Sequence, residues 1–137
     1  MRIKVTGQQF DHDDNMVDEI QLVTDAEVKR ENDLFIIDYT ENNENTDENV
    51  TTRLRATDKK LVMTKLGMVS STLEFEVDKK YNSVYSTIYG DFKMVISTIY
   101  YDYNISEDGT GYISLKYIVN LGENEPYTNV LNIILYK

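Results

Sequence analysis

The sequence predicts an all-β protein that forms a single closed, antiparallel, up-and-down barrel of about eight to ten strands. The alternation is clearest near the C-terminus, where apolar and mostly polar residues alternate over residues 113–121. A period of two is typical of a strand with one apolar face and one wet face. Turn-forming residues recur at hairpin spacing, so neighbouring strands should be antiparallel. Because a chain built only of strands must protect its sheet edges, closure into a barrel is expected.

The strand pattern covers the whole chain, and a length of 137 residues suggests one domain, residues 1–137. Turns such as Glu107-Asp108-Gly109 and Gly122-Glu123-Asn124 separate the alternating segments. Each connection is short enough for a hairpin. The predicted strands are residues 2–10, 17–30, 34–40, 49–57, 60–66, 69–77, 81–88, 90–105, 110–121 and 127–136.

Three local features qualify this pattern. Residues 25–32 include Ala26, Glu27, Lys29 and Arg30, which favour helix, so one helical turn is an alternative to strand there. The single proline, Pro126, falls at a strand start, where its missing N–H does least harm. Gly90 follows a tight turn into a long strand, so we expect a positive φ at this glycine.

Aromatic residues are concentrated in the long strand at 90–105. Tyr100, Tyr101 and Tyr103 share this strand with Ile99 and Ile105, which makes both of its faces aromatic or apolar. One face can serve the core, and the other needs cover from the same chain or from a second subunit. We favour cover from the same chain, and we therefore expect a monomer or a weak homodimer.

Composition excludes several classes of function. The net charge of −10 argues against a nucleic-acid partner, because phosphate binding relies on Lys and Arg. The densest acidic stretch, Asp38 to Glu48, contains no base; it is interpreted as a solvated loop, with a docking loop for a basic partner as the alternative. The chain has no cysteine, no apolar N-terminal signal region and no run approaching the roughly 20 apolar residues of a membrane helix. We therefore expect a cytoplasmic protein without a membrane span.

No catalytic or metal-binding set is recognisable. His12, the single histidine, lies in an acidic turn, which is a poor position for the base of a catalytic triad. The turn at 11–15 begins like a calcium loop, but Met16 and Leu22 stand where the glycine and the bidentate glutamate belong. Glu74 and Glu76 alternate with a core set, so both are expected to face water. We expect no enzyme activity, no metal and no cofactor.

The informative residues are polar side chains that share a strand face with apolar ones. Lys65 follows Leu61 and Met63 in period two, and Tyr39 and Glu41 follow Phe35 and Ile37 in the same way. A charge inside a barrel needs a partner, so an internal Lys65–Glu41 pair is one interpretation. The other interpretation, which we favour, places these residues at the barrel mouth. The candidate ligand-binding residues are Tyr39, Glu41, Lys65, Tyr85, Thr98 and Tyr117.

Several of these residues lie in segments that also carry a family resemblance. The segments are Tyr39-Thr40-Glu41, Lys65-Leu66-Gly67-Met68-Val69 with Phe75, Tyr85-Ser86-Thr87-Ile88-Tyr89-Gly90 with Ser97-Thr98, and Gly111-Tyr112-Ile113-Ser114-Leu115-Lys116-Tyr117. In order and spacing they resemble the YwiB-like family, a group of small bacterial β-barrel proteins of unknown function with a calycin (lipocalin-like) fold. The resemblance runs from Ile3 to Leu135, although the family usually has arginine where this chain has Lys65. It implies a calycin-like barrel in a bacterial cytosol and no particular reaction.

We expect an uncharacterised, non-catalytic barrel that binds a small or amphipathic ligand in or at its interior. The alternative is a protein-interaction module in which side chains fill the barrel. Interior volume separates the two, because a ligand barrel needs a pocket of several hundred Å3 and a packed core leaves almost none.

Overall fold

Ten antiparallel strands form a closed barrel in the computed structural model, which describes residues 1–42, 49–67, 70–122 and 125–137. Each strand pairs with its neighbours in sequence, and β1 pairs with β10 to complete the ring. The predicted up-and-down barrel is therefore confirmed. The strands are β1 Arg2–Phe10, β2 Met16–Glu31, β3 Leu34–Asn42, β4 Asn49–Ala56, β5 Lys60–Leu66, β6 Ser70–Glu76, β7 Lys80–Thr87, β8 Gly90–Ile105, β9 Gly111–Asn120 and β10 Tyr127–Tyr136.

Period-two alternation sends every second side chain into the barrel, and those side chains form the core. In β4, for example, Thr52, Leu54 and Ala56 are fully buried, whereas the residues between them are exposed. The largest fully buried apolar residues are Ile3, Ile37, Leu54, Leu61, Phe75, Ile96, Ile113, Leu115, Ile133 and Leu135. We call the end of the barrel where the odd-numbered strands finish the upper end. The lower end is the one where those strands begin.

Long strands close the lower end. Tyr101 of β8 reaches across to the β4–β5 turn and donates a hydrogen bond from its hydroxyl to the carbonyl oxygen of Thr57, at 2.7 Å. Burial raises the pKa of the Tyr101 hydroxyl, so this group stays a donor. Beside it, Tyr103 and Ile105 pack against the core. The upper end has no comparable closure within the described residues, and this difference creates the site described below.

Two sequence interpretations need correction. Residues 25–31 are strand and not a helical turn, because Ala26 and Val28 point to the core while the residues between them stay exposed. Within the part of the chain that the structure describes, the preferred cover for the second face of β8 is not found either. A register shift between Thr98 and Tyr100 turns the strand so that Tyr101 faces the core, and Ile99 and Tyr100 remain 47% and 40% exposed. A contact with a second subunit stays a prediction.

The acidic stretch is partly strand. Asp38 lies in β3 and accepts two hydrogen bonds from the Arg53 guanidinium of β4, at 2.7 and 2.9 Å. The Arg53 side chain lowers the pKa of Asp38, so this acid is neutralised locally. The predicted loop itself, residues 43–48, lies outside the described residues.

Two glycines allow a test of the backbone. Gly90 has a φ of 124°, as expected, and a Cβ there would meet nothing within 4 Å. Gly111 has a φ of 148°, and a Cβ there would lie 2.0 Å from the carbonyl oxygen of Asn104. Gly90→Ala should therefore lower the free energy of unfolding by about 1–3 kcal/mol, the cost of a strained backbone alone. Gly111→Ala should cost more, because strain and collision add. Urea unfolding followed by circular dichroism measures both, and equal losses would contradict this placement of Gly111.

Candidate functional site

Polar inward-facing residues form a continuous row across β3 to β6. The strand registers place Tyr39 opposite Thr52, Thr52 opposite Lys65, and Lys65 opposite Ser71. Cross-strand partners on one face have Cβ atoms about 4.5–5.5 Å apart, so these side chains are neighbours. Tyr39 and Lys65, predicted from separate strands, therefore belong to one structural feature.

A second polar row crosses the opposite wall. Thr98 of β8 pairs with Tyr117 of β9, Tyr117 pairs with Asn129 of β10, Asn129 with Gln9 of β1, and Gln9 with Asp18 of β2. Thr98 is buried and Tyr117 is partly buried. The two rows face each other above the apolar core, so the interior changes from apolar to polar towards the upper end.

A cavity of about 340 Å3 lies between these rows, and we call it the upper cavity. Its apolar surface comes from Val5, Ile20, Leu22, Met63, Leu73, Val130 and Leu131. Its polar surface comes from Gln8, Gln9, Asp18, Gln21, Tyr39, Glu41, Lys65, Tyr117 and Asn129, and Gly7 completes the lining. The volume lies within the range of small-molecule pockets, roughly 300–1,000 Å3.

Four of the six predicted site residues line the upper cavity: Tyr39, Glu41, Lys65 and Tyr117. Thr98 is buried beside Tyr117 but does not line the cavity. The Tyr85 backbone pairs with Ser71 and Phe92, and its side chain lies outside the described part of the chain.

The internal Lys65–Glu41 ion pair is wrong for the described structure. Both residues are partly buried and line the same cavity, yet no ion pair joins them. The alternative interpretation, residues at the mouth of the barrel, fits their position at the upper ends of β3 and β5. Partial exposure lets water solvate both charges, which removes the need for a direct partner.

The tyrosines of the cavity are neutral donors at physiological pH. Tyr39 is buried, and its burial, followed by the negative charge of Glu41, raises the pKa of its hydroxyl; a close approach to Thr52 offsets part of the rise. Burial raises the pKa of Tyr117 to about 12. The Tyr117 ring lies 4.6 Å from the ring of Phe75, measured between centroids, and so spans the floor of the cavity.

Two buried polar atoms next to the cavity lack a well-formed hydrogen bond in the described structure. They are Oγ1 of Thr52, which lies between Tyr39 and Lys65 in the first row, and Nδ2 of Asn129, which lines the cavity. A buried polar atom without a partner costs roughly 1–3 kcal/mol. Of the two residues only Asn129 lines the cavity, so an acceptor atom of a ligand there would satisfy its Nδ2.

Sequence reasoning missed Thr52, Ser71, Gln9, Asn129 and Asp18. Alternation carried a signal for three of them, because Thr52, Ser71 and Asn129 each precede apolar residues in period two, as Asn129 precedes Leu131 and Ile133. The pairing between strands adds a second signal, since it places Thr52 beside Tyr39 and Asn129 beside Tyr117. A register assignment made from the hairpin turns could have identified them.

The remaining candidates form no site. His12 is half exposed in the β1–β2 turn, 3.4 Å from Asp13 and 3.8 Å from Glu125. Asp11 accepts hydrogen bonds from the backbone N–H groups of Asp13 and Asn15, so its carboxylate stabilises the turn. Glu76 pairs with Lys79 at 2.7 Å and Glu74 with Lys60 at 3.8 Å, both outside the upper cavity. The described residues contain no group of three or more potential metal ligands.

The fold and the site define a class: a closed, all-antiparallel β-barrel with an apolar core and a cavity between two polar rows at its upper end. A family model described as "Domain of unknown function (DUF1934)" matches residues 3–133, and the chain belongs to this family. Among solved structures it is similar to the one titled "Crystal structure of ywiB protein from Bacillus subtilis", with a TM-score of 0.80 and 17% identity. That match covers 99% of this chain and 91% of the other, so the predicted resemblance to YwiB-like proteins is confirmed at the level of fold.

No curated protein matches the chain. Among the described residues there is no helix that could cross a membrane.

The raised pKa values predict the response to alkaline pH. Unfolded tyrosine ionises near pH 10, whereas folded Tyr117 holds its proton to about pH 12. The folded state therefore binds more protons between these values, and stability falls as the pH rises through this window. Tyr117→Phe should make this fall smaller. Urea midpoints at about pH 8 and about pH 11 test this, with Tyr112→Phe on the exposed outer wall as the control. If the urea midpoint of Tyr117→Phe falls between these two pH values by as much as the midpoint of the wild type, the Tyr117 hydroxyl is not buried.

Proposed function

We propose that the protein binds a small amphipathic molecule in the upper cavity, without catalysing a reaction. The observation that carries this proposal is the cavity itself, about 340 Å3 in volume above the apolar core and lined by both apolar and polar inward-facing residues. Sites of this kind combine an apolar wall with a few fixed polar groups. The lining here has that composition, with Leu22, Met63 and Leu131 on the apolar side and Tyr39, Lys65 and Asn129 on the polar side.

The polar atoms near the cavity supply a reason for specificity. Nδ2 of Asn129 is buried without a hydrogen-bond partner in the described structure, and such a group favours a ligand that bonds to it over one that leaves it unpaired. The neutral hydroxyl of Tyr117 adds a donor at the floor. An amphipathic molecule would satisfy these groups and cover the apolar wall at the same time.

The alternative function, an interaction module with a filled barrel, has less support. Side chains fill the lower half, as that function requires, but the cavity between the two polar rows is too large for a fully packed interior. Enzyme activity has the least support. His12 lies in the β1–β2 turn and is absent from the lining of the cavity, so histidine-dependent nucleophilic catalysis lacks its base there.

A neutral apolar fluorophore, N-phenyl-1-naphthylamine, tests the proposal. We expect the protein to bind it saturably, with one molecule per chain in native mass spectrometry. Leu22→Trp should weaken binding by about tenfold or more, because the larger side chain fills the cavity. Val23→Trp is the matched control, since the next residue of the same strand points outward and is 45% exposed.

Circular dichroism must first establish that both variants are folded. Weakened binding in Leu22→Trp together with wild-type binding in Val23→Trp supports the proposal. Absence of saturable binding to the wild type, or equal binding by the two variants, contradicts it.

A further inference from the structure

The barrel wall has a weak contact between β6 and β7. In the described structure these strands pair at two positions, Ser70 with Ser86 and Ser71 with Tyr85, whereas every other neighbouring pair is registered at six or more. Below Ser71 the two backbones separate, and the Ser83 hydroxyl donates a hydrogen bond to the carbonyl oxygen of Thr72 across the gap. The wall therefore lacks a continuous ladder of backbone hydrogen bonds between these two strands.

A groove of about 370 Å3 occupies this gap, and we call it the seam groove. Hydroxyl groups dominate its polar lining, which includes Thr64, Ser70, Ser71, Thr72 and Ser83. Among the described residues, Lys65 is the one that lines both the seam groove and the upper cavity. Its ammonium is therefore within reach of a ligand group in either space.

The charges distinguish the groove from the mouth of the cavity. Lys65 is the one base that lines the seam groove, and it forms no ion pair with any described residue. The acid of the groove, Glu74, is paired with Lys60 at 3.8 Å. The cavity wall away from the groove carries Asp18 and Glu41, which repel an anion. A negative group is therefore best accommodated beside Lys65.

We propose that the ligand is an acidic amphiphile whose apolar part fills the upper cavity and whose oxyanion head lies in the seam groove against Lys65. This inference rests on the proposed function. A lysine ammonium beside the hydroxyl groups of Ser71 and Thr72 suits a carboxylate, phosphate or sulfonate, because the oxygens of the head can accept both charge-assisted and neutral hydrogen bonds. The apolar wall that runs from Met63 and Leu73 towards Lys65 connects the two parts of the site.

The experiment compares two probes with similar aromatic parts, 1-anilinonaphthalene-8-sulfonate, which carries an oxyanion, and the neutral N-phenyl-1-naphthylamine. The measured quantity is the affinity for the sulfonate probe divided by the affinity for the neutral probe, which we call the sulfonate ratio. Lys65→Met should lower this ratio by about tenfold or more by removing the charge. Lys65→Arg should keep most of the ratio. Lys59→Met, which has the same change of charge in the β4–β5 turn at the opposite end, should leave it unchanged.

A second pair of variants tests the groove with Lys65 in place. Ser71 lies opposite Lys65, so Ser71→Glu puts a carboxylate where the oxyanion head would lie. Ser71→Gln has the same size without the charge. We expect Ser71→Glu to lower the sulfonate ratio as Lys65→Met does, and Ser71→Gln to lower it much less.

The outcomes separate the two proposals. If the wild type binds neither probe, the proposed function fails. If it binds the neutral probe, but neither Lys65→Met nor Ser71→Glu changes the affinity ratio, the inference about the head group fails alone. Competition with dodecanoate and with dodecyl phosphate then distinguishes a carboxylate from a phosphate head. Displacement of the sulfonate probe by millimolar inorganic phosphate alone would overturn the inference, because the site would recognise a free anion and not an amphiphile.

Discussion

The pairing of β1 with β10 is the constraint on which the rest of the structure depends. Nine registered positions, from Arg2 opposite Tyr136 to Phe10 opposite Thr128, join the two ends of the chain and close the sheet. Closure satisfies the backbone groups of both strands and fixes which residues face inward. A slip of one residue would turn Ile3, Val5 and Leu135 outward and lose the core they form. Because this pairing joins distant parts of the sequence, we expect it to make folding slow.

Given closure, the two ends of the barrel differ because their inward side chains differ. Towards the lower end the inward positions are large and apolar, and Tyr101 ties β8 to the β4–β5 turn. Towards the upper end the same strand faces carry Tyr39, Lys65 and Asn129, which cannot interdigitate without unpaired polar atoms. A cavity is the physical consequence, and the groove beside the short β6–β7 contact is lined by the same Lys65. The apolar core therefore stabilises the fold, and the proposed binding site lies above it, at the upper end of the barrel.

The sequence was sufficient for the barrel and for part of the site. Alternation along single strands located all ten strands, and it identified Tyr39, Lys65 and Tyr117 as inward polar residues because each continues an apolar series. It carried the same signal for Thr52 and Asn129, which were overlooked, but it could not identify the end of pairing between β6 and β7, which depends on how far two backbones stay paired. It also could not anticipate the register shift after Thr98, which leaves Ile99 and Tyr100 exposed while Tyr101 turns inward. These features depend on register and on bending of strands, which the composition of a single strand does not encode.

The most direct measurement of a hollow upper half uses methionine methyl groups as reporters. Met63 lines the upper cavity, Met1 packs against the core at the lower end, and Met16 is exposed on β2. In protein labelled with 13C at methionine methyls, titration with N-phenyl-1-naphthylamine should shift the Met63 resonance while the Met1 and Met16 resonances stay in place. Equal shifts of Met16 and Met63 would indicate binding to the outer surface. A Met63 resonance that does not move at saturating probe would contradict the central claim, that the upper interior of this barrel is a binding cavity.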